Sequence, residues 1–209
     1  TVVLPGVDAA GQQVMSPVCF ALTQDRLVTI RHHTPRPFET YPPRAGKSSL
    51  GCSTPDRVFL GLIEEVIGRL ADHLETGGRG LDAVSRAIYQ PGPKGHRPED
   101  LQLALSSLGA EGERLGRVRL ALLTLGRALN YVDQLLGHRL SSEGLGLVLK
   151  GQLRDIEALE VHADFLSSRL GLMSDATMGT INLAQNSTVR IVSVVAVLQM
   201  EMVPVVVLA

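Results

Sequence analysis

Asp175, Asn182, Asn186 and Ser193 are the residues of this chain whose types and spacing could do chemistry together. On a helix advancing 100° per residue, Asn182 falls about 20° to one side of Asp175 and Asn186 about 20° to the other. Ser193 returns to about 0° and Met200 follows at about 20°. One narrow face would carry a carboxylate, two amide oxygens, a hydroxyl and a thioether. Polar groups of this kind within a membrane span face a bundle interior or a water-filled path. Copies packed around an axis would turn each position into a ring of oxygens on such a path. The competing reading is a row of solvated residues on a helix surface.

The element that must position them is one long helix. The stretch SDATMGTINLAQNSTVRIVSVVAV contains no proline and passes from small polar residues into an almost wholly apolar run. Upstream, Ile156, Leu159, Ala163, Leu166, Leu170 and Met173 recur at heptad spacing, which predicts a packing seam against neighbouring helices. A helix is expected from about Leu147 to at least Val189. From Ile191 to Ala209 the only charge is Glu201 and the only other strongly polar residue is Gln199. Nineteen residues at helical rise span about the hydrocarbon thickness of a bilayer, so 191–209 reads as the incomplete start of a first transmembrane helix. The alternative is a buried C-terminal helix or strand.

The first third of the chain reads as mixed α/β. VCFAL and RLVTI, separated by TQD, predict a strand hairpin. Residues 34–55 hold five Pro, two Gly and three Ser and read as a loop. Thr54 can cap a helix that has Pro55 at its first position and Asp56 in its first turn. That helix, with Phe59, Leu62, Ile63, Val66, Ile67 and Leu70 on one face, should end at ETGGRG. A second short helix should cover LDAVSRAIY, and PGPKGHRP reads as a linker. LQLALSSLG predicts a short helix and GRVRLALLTLGRALNYVDQLLG a longer one. The expected fold class is α+β and predominantly helical. It divides into a partial α/β domain over 1–97, a helical hairpin region over 98–146, a stalk helix over 147–190 and the membrane segment.

A net charge of −1 gives no support for a nucleic-acid partner. Cys19 and Cys52 lie too far apart for a zinc spacing and read as two free thiols in a reducing compartment. The chain begins at Thr1 with no signal peptide, and is expected to start inside a larger protein. No G-x-S-x-G, P-loop, Cys-His pair or G-x-G-x-x-G is present, so an enzyme is not expected. His32 and His33 are adjacent on an extended chain and point to opposite faces, a poor bidentate site. His162 reads as a helix-surface residue. Asp155, Glu157, Glu160 and Asp164 crowd one stretch of the long helix, and the favoured reading is a solvated, salt-bridged face with Arg154 and Arg169.

RDIEALEVHADFLSSRLGLMSDATMGTINLAQNSTVRIVSVVAV resembles the end of the stalk helix and the start of the first membrane helix in the CorA family of divalent-cation transporters. The residues that carry the likeness are L-x-R-D-I, H-A-x-F-L, D-A-T-x-G-x-I-N, the Q-N pair and the S-V-V-x-V run. DRLVTIRH, STPDRVFLGLIEEVIGRLADHLE and LDAVSRAIYQ also look like that family's cytoplasmic domain, so the resemblance runs from about Val18 to about Val197. It implies a homopentamer in the inner membrane, with residues 1–190 cytoplasmic and the stalk helices lining a pore for Mg²⁺, Co²⁺ or Ni²⁺. It implies that Asp175 and Asn186 stand at rings on the ion path, with Asn182 on the same face. Val189 and Val192 match the apolar constriction positions, and Met200 the next one. It further implies regulatory cations held between subunits, for which Asp155, Glu157, Glu160 and Asp164 are the candidates. The partners implied are further copies of the chain, the lipid bilayer and divalent cations. The family's Gly-Met-Asn signature and second membrane helix are absent from these 209 residues. In LQMEMVPVVVLA two registers are open: Pro204 matches the family's proline after an insertion, or Glu201 replaces it. The zinc-transporting branch of the superfamily and a soluble helical partner-binding module are the alternative functions.

Overall fold

The computed structural model describes residues 1–90 and 97–206; for 184, 187–188, 190–192 and 198–206 only the helix itself is described. The chain forms β1 (Val2–Val7), β2 (Gln13–Leu22) and β3 (Leu27–Arg31). Two short turns of helix follow, α1 (Pro37–Thr40) and a 3₁₀ turn at Ala45–Lys47. Three long helices complete it: α2 (Pro55–Tyr89), α3 (Pro98–Ser142) and α4 (Gly146–Val206). This is the predominantly helical α+β class expected, with the strands first.

The chain divides into two compact units, residues 1–79 with 111–168, and residues 80–110 with 169–209. In the first, the strands form an antiparallel sheet in the order β1-β2-β3. The expected hairpin of VCFAL and RLVTI is present, with Cys19 opposite Ile30 and Leu22 opposite Leu27. β1 was not foreseen. Pro5 and Gly6 mask it in the sequence, but β1 is an edge strand, where a residue without an N–H is tolerated. Val2, Leu4 and Val18 turn one face of the sheet into the core. Phe59, Leu60, Ile63, Val66, Ile67 and Leu70 of α2 are buried with them. That is the three-and-four apolar spacing of an amphipathic helix put to use.

Two expected helix breaks are missing. α2 runs through ETGGRG, so the separate helix over LDAVSRAIY does not exist; α3 runs unbroken from LQLALSSLG into GRVRLALL. Glycine within a helix costs about 1 kcal/mol relative to alanine, which neighbouring packing can offset. A methyl placed on Gly77 would stand 3.6 Å from the side chains of Glu111 and Leu115, and one on Gly78 3.7 Å from Leu166. The bare backbone lets other helices approach here.

α3 and α4 are joined by a reversal at Glu143–Leu145, and residues 98–142 form one helix, so the hairpin expected within 98–146 is made by α3 and the start of α4. Gly144 adopts φ +74°, its N–H donates to the Ser141 carbonyl, and the Leu145 N–H reaches back to the Leu140 carbonyl at 2.7 Å. These are the two bonds of a Schellman motif, and Leu140 and Leu145 are both buried beside it. α2 starts as the sequence predicts, with Pro55 leading and the Arg57 N–H donating to Thr54 Oγ1 at 3.3 Å. Loop 34–55 is loop-like apart from its two short turns. Most of the linker PGPKGHRP lies outside the described residues.

Candidate functional site

Helix α4 covers the whole expected stalk and begins within one residue of the predicted Leu147. The seam residues are where the heptad argument puts them. Ile156, Ala163, Leu166 and Met173 are buried, and Leu159 and Leu170 are half-buried. Their burial needs no second copy: in the first unit a methyl on Gly126 of α3 would stand 3.5 Å from Ile156 Cγ2. In the second, Met173 and Thr177 are buried, and Thr177 Oγ1 donates to the Met173 carbonyl at 2.7 Å.

The other face of α4 carries the polar stripe. Because the helix is continuous, Asp175, Asn182, Asn186 and Ser193 share one side of it, and all four are exposed. Ser193 Oγ spends its proton on the Val189 carbonyl at 2.9 Å, leaving its lone pairs outward. Val189 is 63% exposed. Side chains Val192 and Met200 lie outside the described residues. The stripe thus offers a carboxylate, two amides and a hydroxyl to whatever faces it, in a single row along the helix. Exposed apolar residues flank the row, with Phe165, Leu172, Met178 and Leu183 each at least half exposed.

The four stalk acids lie along α4 within the first unit. Asp155, Glu157 and Asp164 are exposed and Glu160 is half-buried. Among the described residues, no three of His, Cys, Asp and Glu come together as they would around a metal ion. Asp164 is held by Arg119 of α3 at 2.8 Å, and Arg169 reaches Asp82 of α2 at 2.6 Å. The salt-bridged face exists, but its pairs run between helices rather than along α4. No sequence spacing signals such pairs, because they depend on the register between helices.

His32 is exposed and His33 buried, so the pair splits across two faces as expected; His33 Nε2 lies 2.9 Å from the Leu4 carbonyl. His162 is exposed, its ring stacked near Phe165 with centroids 6.4 Å apart. Cys19 and Cys52 are both free thiols. No helix among the described residues is long and apolar enough to cross a membrane; the apolar run 191–209 falls largely on side chains outside them.

The family model described as "CorA-like Mg2+ transporter protein" matches residues 1–207. The magnesium transport protein CorA of Yersinia pseudotuberculosis serotype I (strain IP32953) is 36% identical over 191 residues, covering 91% of this chain and 58% of that protein. The magnesium transport protein CorA of Escherichia coli (strain K12) is 34% identical over 194 residues, with the same shares. This chain therefore spans less than two thirds of the curated relatives it matches. Among solved structures, the ZntB cytoplasmic domain from Vibrio parahaemolyticus RIMD 2210633 superposes with a TM-score of 0.65. It covers 86% of this chain and 68% of that one at 12% identity, a likeness of fold. With its whole length but two residues matched, the chain belongs to the CorA-like Mg²⁺ transporter protein family.

Proposed function

We propose that this chain is the cytoplasmic and stalk portion of a homopentameric, channel-type transporter of the inner membrane that passes hydrated Mg²⁺, with Co²⁺ and Ni²⁺ as further candidates. The observation that carries the reading is the uninterrupted helix α4, which holds Asp175, Asn182 and Asn186 on one exposed face. In a family of Mg²⁺ transporters, such a row is what a symmetric bundle would turn toward its axis. Residues 1–190 would be cytoplasmic and 191–209 would enter the bilayer.

The chemistry follows from the ion. Mg²⁺ dehydrates reluctantly and keeps several waters. Asn182 and Asn186 amide oxygens accept from first-shell water without displacing it. Asp175 carboxylates, one per subunit, would raise the local cation concentration at the inner mouth. Val189, Val192 and Met200 would form the apolar narrowing beyond, where a gate can close by excluding water. Cytoplasmic cation occupancy would shift the stalk between closed and open arrangements only through different affinity for the two. The stalk acids contribute to this weakly, since Asp164 is already engaged by Arg119. Asp155, Glu157 and Glu160 read as a solvated face. The role is transport rather than catalysis.

Zn²⁺ is the second reading, prompted by the fold shared with the ZntB domain. The test is ion uptake by the full-length protein in liposomes, followed with Mg²⁺- and Zn²⁺-sensitive dyes. Asn186→Leu should abolish most Mg²⁺ uptake and Asp175→Ala should alter its rate or gating. Uptake unchanged in both variants removes the stripe from the ion path, and uptake of Zn²⁺ in place of Mg²⁺ selects the second reading.

A further inference from the structure

The first unit contains a cavity of about 730 Å³ between the α1–3₁₀ segment and the outer face of α2, remote in sequence from the stripe. One wall is cationic, supplied by Arg44 and Lys47, with Arg36 already paired to Glu39 at 2.9 Å; Arg69 joins them from α2. The facing acids are Glu64, Glu65 and Asp72. Their engagement differs. Glu65 is taken up by Thr40 Oγ1 at 2.8 Å and Arg44 at 3.3 Å. Asp72 meets Arg69 only at 3.6 Å. A charge-assisted N–H···O bond normally closes to about 2.7–2.9 Å. Both arginines therefore keep donor capacity, and the exposed Lys47 stands beside them.

The second observation is Tyr41. It is only 6% exposed, lines this cavity, and its hydroxyl has no hydrogen-bond partner. A buried hydroxyl without a partner is costly. The ring lies against Gly61, another residue of the cavity wall, in the space that a side chain would fill. Burial first, then the charges of Cys52 and Glu64, push the phenol above its ordinary value, so it keeps its proton and remains a donor.

From the convergence of guanidinium, ammonium and unpartnered hydroxyl donors on one concave wall, we propose that this cavity binds a soluble phosphate-bearing anion, of the size of pyrophosphate or the polyphosphate arm of a nucleotide. Arg44 and Lys47 would take the phosphate oxygens from the loop side. Tyr41 Oη would donate from the floor, and Arg69 would exchange its long contact with Asp72 for a shorter one to the ligand. Drug-sized ligands occupy cavities of about 300–1,000 Å³, so the volume suits a molecule of this class, and Tyr41 Oη, closed off against Gly61 in the empty cavity, would turn to meet it.

The experiment is calorimetric titration of the 209-residue chain in mild detergent and magnesium-free buffer, with pyrophosphate and ATP as ligands. Sulfate at matched ionic strength is the comparator. Saturable binding of pyrophosphate or ATP, absent for sulfate, is expected. Lys47→Ala should weaken it by about tenfold or more, the effect of one charged hydrogen bond. Tyr41→Phe is the sharper variant, because it removes a hydroxyl that bonds to nothing in the empty cavity. The unliganded variant should melt no lower than the parent while binding several-fold more weakly. The proposal is overturned if neither pyrophosphate nor ATP binds, if sulfate binds equally, or if both variants bind with parental affinity.

Discussion

Arg139, near the end of α3, donates to Asp56 in the first turn of α2 at 2.5 Å, across eighty-three positions of sequence. Asp56 is almost wholly buried and Arg139 partly so. The carboxylate also sits where a helix N-terminus favours negative charge. Removing one member of a buried pair leaves the other uncompensated, a loss of about 3–5 kcal/mol. Arg139→Met is therefore expected to lower the melting temperature markedly. The double variant Asp56→Leu/Arg139→Met should recover much of the loss, because neither charge is left buried alone. A thermal melt of the single and double variants checks this; equal damage in both would mean that the pair is not what holds the two helices together.

His73 on α2 supplies the pH dependence. Burial, and then the charges of Arg69 and Arg114, hold its imidazole below the ordinary value, against a smaller opposing pull from Asp72. The sign follows from which state binds the proton. As pH falls through the unfolded value of about 6.5, the unfolded chain takes up a proton that the folded chain resists. Stability therefore falls with acidification, until pH drops below the lowered folded value. His73→Gln should flatten the stability profile between about pH 7 and pH 5, measured by urea unfolding at successive pH. A profile of unchanged slope would assign the acid sensitivity to other groups.

How much of this was legible depends on how local the signal is. Thr54-Pro55-Asp56, the β2–β3 hairpin and the α4 seam are written in spacings of one to seven residues, and each appears where the spacing puts it. Local propensity is against Gly77, Gly78, Gly109 and Gly116 within helices, yet α2 and α3 run through all four; at Gly77 and Gly78 other helices pack close to the bare backbone. β1 hid behind Pro5, which only an edge position accommodates. The pairs Asp56–Arg139, Asp82–Arg169 and Arg119–Asp164 were invisible, since each joins residues at least forty-five positions apart. The placement of Asp175, Asn182, Asn186 and Ser193 on one exposed side of α4 was legible, because a helix period alone generates it.

Ile156 tests the seam inside the first unit. It is 2% exposed and lies against the bare backbone of Gly126. Truncating a buried isoleucine to alanine costs about 2–5 kcal/mol, through lost burial and the cavity left behind. Gly126→Ala should cost far less, since its added methyl would meet Ile156 at 3.5 Å, an ordinary contact. Chemical denaturation of the two variants separates them. If Ile156→Ala costs under about 1 kcal/mol, the seam does not pack α3 against α4.

The two faces of α4 should separate stability from transport. Met173 and Thr177 are buried on one side of the helix, and Asp175, two residues from each, is exposed on the other. Two residues along a helix turn a side chain by about 200°, so neighbours in sequence report opposite environments. Met173→Ala deletes buried volume and is expected to cost about 2–5 kcal/mol. Asp175→Ala removes an exposed carboxylate with no base three or four residues away to pair along the helix, and should stay within about 0.5 kcal/mol. Measured on the same full-length preparations, ion uptake should respond in the opposite order per unit of stability lost. Asp175→Ala should change the rate or gating at an unchanged melting temperature. Met173→Ala should lose activity only as far as it loses folded protein. If Asp175→Ala instead unfolds the protein, the carboxylate is structural, and the stripe loses its one charged member.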